Sequence, residues 1–339
     1  MIRLFNRLPQ TTSRAAAVAL ACLALSSAAV QAQTQTQAPA GATDVPAAPQ
    51  QTADAATGPV FPKPDPADFT ADSPTKEQVN AFLQASWGYD ANRVYQVQRI
   101  AKTAVPGISN VVIAVGEKGN KQVAALQFFT TPDGKHLITG GEILPFSSTP
   151  YVDNRAKLVS RADGPFKGAA GKELELVEFA DFQCPHCKDA QATMDKLATD
   201  FPNAHIVFQN FPLVKIHPEA MQAAEFGTCV AKLGGNAAFF QYASAVYEGQ
   251  AGLSSADGAL LTLNSAVTKA GQDPAKIAAC AKEPATEATV KADIKLAEDL
   301  NVNQTPSLAV NGRLIPLGGL DYDTLKKIVS YHATNDTGK

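Results

Sequence analysis

The apolar positions of this chain change their spacing from segment to segment, and the changes outline two folded units. In the first, Ser73-Pro74-Thr75-Lys76-Glu77 reads as a helix start, with Ser73 as cap and Pro74 in the first turn. Val79, Phe82 and Leu83 follow at helical spacing. Four strand-like runs come next, at 93–102, 111–115, 123–130 and 136–144. Pro106-Gly107, residues 116–120 and Pro132-Asp133-Gly134 supply the turns. One helix and a small antiparallel sheet predict an α+β unit. In the second unit, an apolar run at 174–182 predicts a strand, 185–200 a helix and 204–211 a second strand. A mostly helical stretch covers 218–300. Residues 307–310 and 314–317 predict a hairpin about Asn311-Gly312, and 322–332 a closing helix. This order, β-α-β, helices, β-β-α, predicts an α/β domain with an inserted helical subdomain.

The N-terminal composition sets the domain limits. Arg3, Arg7 and Arg14 flank or precede an apolar stretch at 15–30, and Val30-Gln31-Ala32 offers a cleavage site after Ala32. Residues 1–32 therefore read as a secretory signal peptide. Two alternatives stand beside it: a retained anchor, which needs ~20 apolar residues, and a lipoprotein acylated at Cys22. Cleavage removes three arginines and takes the formal net charge from −3 to −6. That balance offers no basic patch for nucleic acid. Residues 33–66, rich in Ala, Gln, Thr and Pro, hold too few large apolar side chains to offset the entropy of ordering and are expected to be a disordered linker. The remainder divides into an α+β N-terminal domain at 67–160, suited to dimerisation or substrate contact, and a domain at 161–339 with its helical insertion at about 218–300.

Export would place the four remaining cysteines, Cys184, Cys187, Cys229 and Cys280, in an oxidising compartment. Four allow three connectivities, of which a Cys184–Cys187 redox pair with Cys229–Cys280 is the natural one. Cys184-Pro185-His186-Cys187 follows one predicted strand and opens the next predicted helix. The first sulfur then lies at a helix N-terminus, where orphan N–H groups and the dipole favour a thiolate. Cys184 is the candidate nucleophile and Cys187, one turn on, its partner. Pro185 restrains the turn. His186 either adds a donor and partial charge beside Cys184 or is a surface residue. Half a zinc site is the competing reading of the motif, but this domain holds no second C-x-x-C or H-x-x-x-H. Glu178, six positions before Cys184, either lies beneath the sulfurs and moves the proton of Cys187 or is solvated at an edge. Thr305-Pro306 opens the strand at 307–310, where a missing N–H is tolerable, and a cis bond there, which spacing alone does not imply, would turn the strand toward Cys184 and expose the Thr305 backbone to a peptide substrate. No cofactor and no metal are expected.

Together, Cys184-Pro185-His186-Cys187, Glu178, Thr305-Pro306 and the helical insertion resemble the DsbA-type thioredoxin-fold oxidoreductases over about 162–332. The resemblance implies an α/β thioredoxin fold with an inserted helical subdomain. It implies that Cys184 is the exposed nucleophile, Cys187 the buried partner, Pro306 a cis-proline facing them and Glu178 a buried carboxylate. It implies that Cys229 and Cys280 form a structural disulfide; Phe226, Cys229, Val230 and Leu233 share one helix face and Ile277, Cys280 and Ala281 another, with two buried thiols as the alternative. The first domain resembles the N-terminal dimerisation domain of the DsbC/DsbG isomerases, through Val105-Pro106-Gly107-Ile108 and residues 133–142. The motif is of oxidase type and the layout of isomerase type.

The implied protein is a periplasmic thiol:disulfide oxidoreductase, an oxidase by its motif. Its partners would be unfolded or partly folded exported proteins, a membrane redox partner that recycles the active disulfide, and a second copy bound through the first domain. A dimeric isomerase or reductase of DsbC/DsbG type, and a non-catalytic chaperone or metal-handling module, are the alternatives.

Overall fold

The computed structural model describes residues 58–336. The expected signal peptide at 1–32, Cys22 and positions 33–57 of the expected linker lie outside the described residues. Among the described residues, no helix is long and apolar enough to cross a membrane.

The described residues form two compact units, one of residues 58–73 and Tyr95–Leu144, the other of Pro74–Val94 and residues 145–336. The first helix, α1 (Lys76–Trp87), belongs to the second unit, so the 67–160 domain expected from sequence is divided differently. Its apolar stripe, Val79 and Leu83, is buried as predicted, but the stripe carries no information about which unit buries it. The cap is Thr75 and not Ser73. Thr75 Oγ1 accepts from the Gln78 N–H at 3.2 Å, and Gln78 Oε1 accepts from the Thr75 N–H at 2.8 Å. That reciprocal capping box satisfies two orphan donors where Ser73 could satisfy one.

The first unit is a five-stranded sheet in sequential order, β1 (Arg93–Lys102), β2 (Ser109–Glu117), β3 (Val123–Thr130), β4 (His136–Thr139) and β5 (Glu142–Pro145). The run at 136–144 is two strands because Gly140 and Gly141 both adopt positive φ, 56° and 86°, and turn the chain between them. Val97, Ile100, Val111, Ile113 and Phe128 are among its buried side chains. The end of the expected linker is ordered on this sheet. Pro59 lies so close to Gly116 that a Cβ there would come within 2.7 Å of it, and Phe69 bridges Ile100.

In the second unit, α2 (Val152–Arg161) leads to β6 (Phe166–Gly168), β7 (Glu175–Ala180), α3 (Pro185–Asp200) and β8 (His205–Asn210). The insertion follows as α4 (Ala220–Glu248), α5 (Ala256–Lys269), α6 (Pro274–Ala281) and α7 (Pro284–Asp299), before β9 (Ser307–Val310), β10 (Arg313–Pro316) and α8 (Tyr322–Asn335). The sheet order is β10-β9-β7-β8-β6. β7 runs parallel to β8, as the α3 crossover requires, and antiparallel to β9. β7 is central and buried throughout, which explains its largely apolar composition and makes Glu175 and Glu178 buried carboxyls. One face packs Leu176 and Leu308 on Met194 and Leu197 of α3 and Ile328 and Val329 of α8. The other packs Val177, Phe179 and Val207 on Leu158 of α2 and Leu296 of α7. The insertion has its own core, and that core includes Phe182, Cys184 and Cys187.

Cys229 of α4 and Cys280 of α6 are joined in a disulfide across 51 residues. In the chain-entropy account, closing such a loop stabilises the fold by about 2–4 kcal/mol. The double variant Cys229→Ala/Cys280→Ala is expected to lose stability on that scale in denaturant titration. An unchanged midpoint would show the bridge to be dispensable.

Candidate active site

β7 ends at Ala180, and a short turn delivers Cys184 to the N-cap of α3 with φ −74° and ψ 120°. Pro185 occupies the first helical position, where its missing N–H costs nothing. The Cys184 carbonyl accepts from the N–H groups of Cys187 at 3.1 Å and Lys188 at 3.3 Å. Cys184 and Cys187 are free thiols. Cys187 is fully buried; Cys184 is only 5% exposed, so the freely exposed sulfur expected from sequence is in fact nearly covered. The cover comes from residues far along the chain. The Thr305–Pro306 peptide is cis, and the Thr305 carbonyl lies 3.6 Å from Cys184 Sγ. Pro185 and His186 remain exposed beside it.

The two thiols are pushed in opposite directions. The hydrogen bond from Cys187 lowers Cys184 to about 5, helped by the Thr305 side chain and by the backbone N–H groups of Cys187 and His186, against the cost of burial. His186 thus contributes through its main chain at the helix N-terminus. Burial drives Cys187 far above the usual thiol range, and its hydrogen bond to Cys184 adds to that. The Asp181 N–H points at Cys187 Sγ at 3.4 Å.

Glu178 is buried in β7. Burial raises its carboxyl to about 7, while Lys167 and a hydrogen bond from Gln191 pull the other way. Gln191 Nε2 donates to Glu178 Oε1 and to the Cys187 carbonyl, each at 3.1 Å, and so links the carboxylate to the second cysteine. Lys167 itself pairs with Asp195 at 2.6 Å.

Several residues at the site gave no signal in sequence. Asp181 accepts from the N–H groups of Gln183 at 2.7 Å and Leu213 at 2.8 Å, and its Oδ2 lies 2.8 Å from His217 Nδ1. Gln183 Nε2 donates to the Leu253 carbonyl at 2.8 Å, and its Oε1 accepts from the Glu219 N–H at 2.9 Å. Gln250 Nε2 donates to the carbonyls of Phe182 and Cys184, each at 2.9 Å. The turn before the nucleophile is therefore held by the insertion. Gly227 of α4 serves the same approach: a Cβ there would stand 3.1 Å from Tyr242 and 3.2 Å from Phe182.

A β-α-β and β-β-α sheet with a C-x-x-C at a helix N-terminus and a cis-proline beside it defines a thioredoxin fold, here with four helices inserted between β8 and β9. The family model described as thioredoxin matches residues 162–330, just under half of the chain. Among curated proteins, the chain is 39% identical over 59 residues to a Na(+)/H(+) antiporter NhaA 1 of Salinispora arenicola, covering 17% of this chain and 9% of the antiporter. It is 29% identical over 166 residues to the NhaA 1 antiporter of Mycolicibacterium vanbaalenii, covering 48% of this chain and 24% of that protein. The chain thus spans less than a quarter of the length of either relative. Among solved structures, a periplasmic thioredoxin-like protein from Salmonella enterica serovar Typhimurium aligns with TM-score 0.45 at 22% identity, over 53% of this chain and 95% of that one. The catalytic domain of Proteus mirabilis ScsC aligns with TM-score 0.44 at 21% identity, over 53% and 98%.

Proposed function

We propose that this chain is a thiol:disulfide oxidoreductase of the extracytoplasmic space that works as an oxidase of exported proteins. One observation carries the reading: Cys184 caps the N-terminus of α3 with its Sγ beside the carbonyl of the cis Thr305–Pro306 peptide, and Cys187, one turn on, is fully buried. In the oxidised enzyme a client thiolate attacks Cys184 Sγ. The Cys184–Cys187 bond breaks, a mixed disulfide forms, and Cys187 leaves and takes up a proton. Glu178, whose carboxyl burial keeps protonated up to about pH 7, supplies it. A second client thiolate then attacks the client sulfur, and Cys184 leaves as a thiolate. The client gains a disulfide, and the enzyme is left as a dithiol holding two electrons for a membrane partner to collect. Stabilising the Cys184 thiolate favours this outcome twice, as a better leaving group and as a more stable reduced enzyme. The Thr305 backbone, beside the sulfur, is the docking edge for the client chain.

A dimeric isomerase is the second reading. It is favoured by the separate sheet unit, which leaves Leu126 43% and Ile143 67% exposed for a second copy to cover. Refolding of a multi-disulfide substrate tests the two. The oxidase reading expects fast oxidation of the reduced substrate and no rescue of the scrambled one. Rescue of scrambled substrate by a dimer would overturn it in favour of isomerase.

A further inference from the structure

We infer that Gln250 is a positioning residue for the redox pair, through which the helical insertion sets how strongly the Cys184 thiolate is favoured. The inference rests on the exchange reading above and deepens it.

The geometry is reciprocal. Gln183, next to the nucleophile, reaches into the insertion and bonds Leu253 and Glu219; Gln250, in the insertion, reaches back and bonds Phe182 and Cys184. Gln250 opens the 3-10 turn Gln250–Ser254, and the turn is fixed on α5: a Cβ on Gly252 would come within 2.1 Å of Thr262 Oγ1. The side chain amide is thus delivered from a rigid support. A primary amide has two hydrogens, and here one nitrogen serves two carbonyls on either side of Gln183. One of them is the N-cap carbonyl that starts α3. Its bonds from Cys187 and Lys188 are those any helix start makes; the bond from Gln250 comes from another subdomain. It fixes the ψ of Cys184, hence the aim of its sulfur at the N–H groups of His186 and Cys187. It also turns the positive end of a dipole toward the Phe182 carbonyl and adds a third donor to the Cys184 carbonyl, beside the N–H groups of Cys187 and Lys188.

The test compares the full chain with Gln250→Met, which keeps length and packing without donors, and Gln250→Glu, which presents an acceptor to two acceptors. The ultraviolet absorbance of the Cys184 thiolate is titrated against pH, and the equilibrium with glutathione is measured. In both variants the titration midpoint should rise. The equilibrium should shift toward the oxidised enzyme by about fivefold in Gln250→Met, the size of one lost neutral hydrogen bond, and further in Gln250→Glu. A merely structural Gln250 would weaken the oxidised and reduced folds alike and leave that equilibrium in place. An acidic midpoint in the unmodified chain that stays put in both folded variants overturns the inference alone. An ordinary thiol midpoint in the unmodified chain overturns the exchange reading and the inference with it. Should either variant fail to fold, Gln250→Asn, with the amide but without the reach, is expected to behave as Gln250→Met, and an unshifted Gln250→Asn overturns the inference.

Discussion

Cys184→Ser is expected to abolish disulfide exchange, lowering turnover of a dithiol peptide by about a thousandfold or more. The size follows from the unequal positions of the two thiols. With its pKa held at about 5, Cys184 is almost wholly thiolate at neutral pH. Cys187, fully buried and pushed the other way, offers neither a thiolate nor access and cannot stand in for it. A serine hydroxyl neither ionises in this range nor forms a disulfide. The same asymmetry fixes the pH dependence. A folded-state pKa below that of an unfolded thiol, about 8.5, stabilises the reduced fold. That contribution is fully present above the unfolded value and is lost as pH falls through about 5. Relative to glutathione, whose thiols stay protonated, the enzyme should become the stronger oxidant by about tenfold per pH step between about 5 and 8, or ~30 mV for two electrons. Activity retained in Cys184→Ser would turn the reading toward a chaperone whose cysteines are idle.

The chemistry was legible in the sequence because its signals are local. A buried central strand, a C-x-x-C and a helix follow one another within the 26 residues from the start of β7 to the end of α3, and each announces itself by composition or spacing. Asn311-Gly312 forms its turn with φ of 46° and 93°, as that dipeptide requires. What escaped is what only tertiary structure brings together. Gln250 touches a carbonyl 66 positions away, and no local pattern marks it. β6 is three residues long, too short to show a period. Asp293 on a helix and Gln209 and Asn210 on a strand read as ordinary polar positions, yet they meet in the core at 2.6 and 2.9 Å, where burial raises Asp293 to about 7. The partition of α1 escaped for a related reason: an apolar stripe states that a face is covered and leaves open by what.

Cys187→Ser is expected to trap the enzyme on its clients. When the reduced enzyme meets a client disulfide, the Cys184 thiolate attacks it, and only Cys187 can resolve the mixed disulfide from within. Without that thiol, covalent complexes that dissolve in reductant should accumulate about tenfold or more over the unmodified chain on non-reducing gels. Serine is the better trap than alanine, because the largest stabilisation of the Cys184 thiolate is the hydrogen bond from residue 187. Cys187→Ala loses that donor and should attack more slowly near pH 5–6, while Cys187→Ser keeps it. In the unmodified chain, resolution requires a buried thiol to lose its proton, and the expected acceptor is Glu178, whose charge acts on the Cys187 thiol and whose Oε1 shares the Gln191 Nε2 donor with the Cys187 carbonyl. Burial holds that carboxyl protonated until about pH 7, so resolution should accelerate as pH rises through 7. Glu178→Gln should remove the acceleration and slow resolution at pH 8 by about tenfold or more. If Cys187→Ser complexes clear as fast as the unmodified chain does, a second client thiol and not Cys187 is the resolving group. If Glu178→Gln keeps the rise through pH 7, the proton leaves by another path.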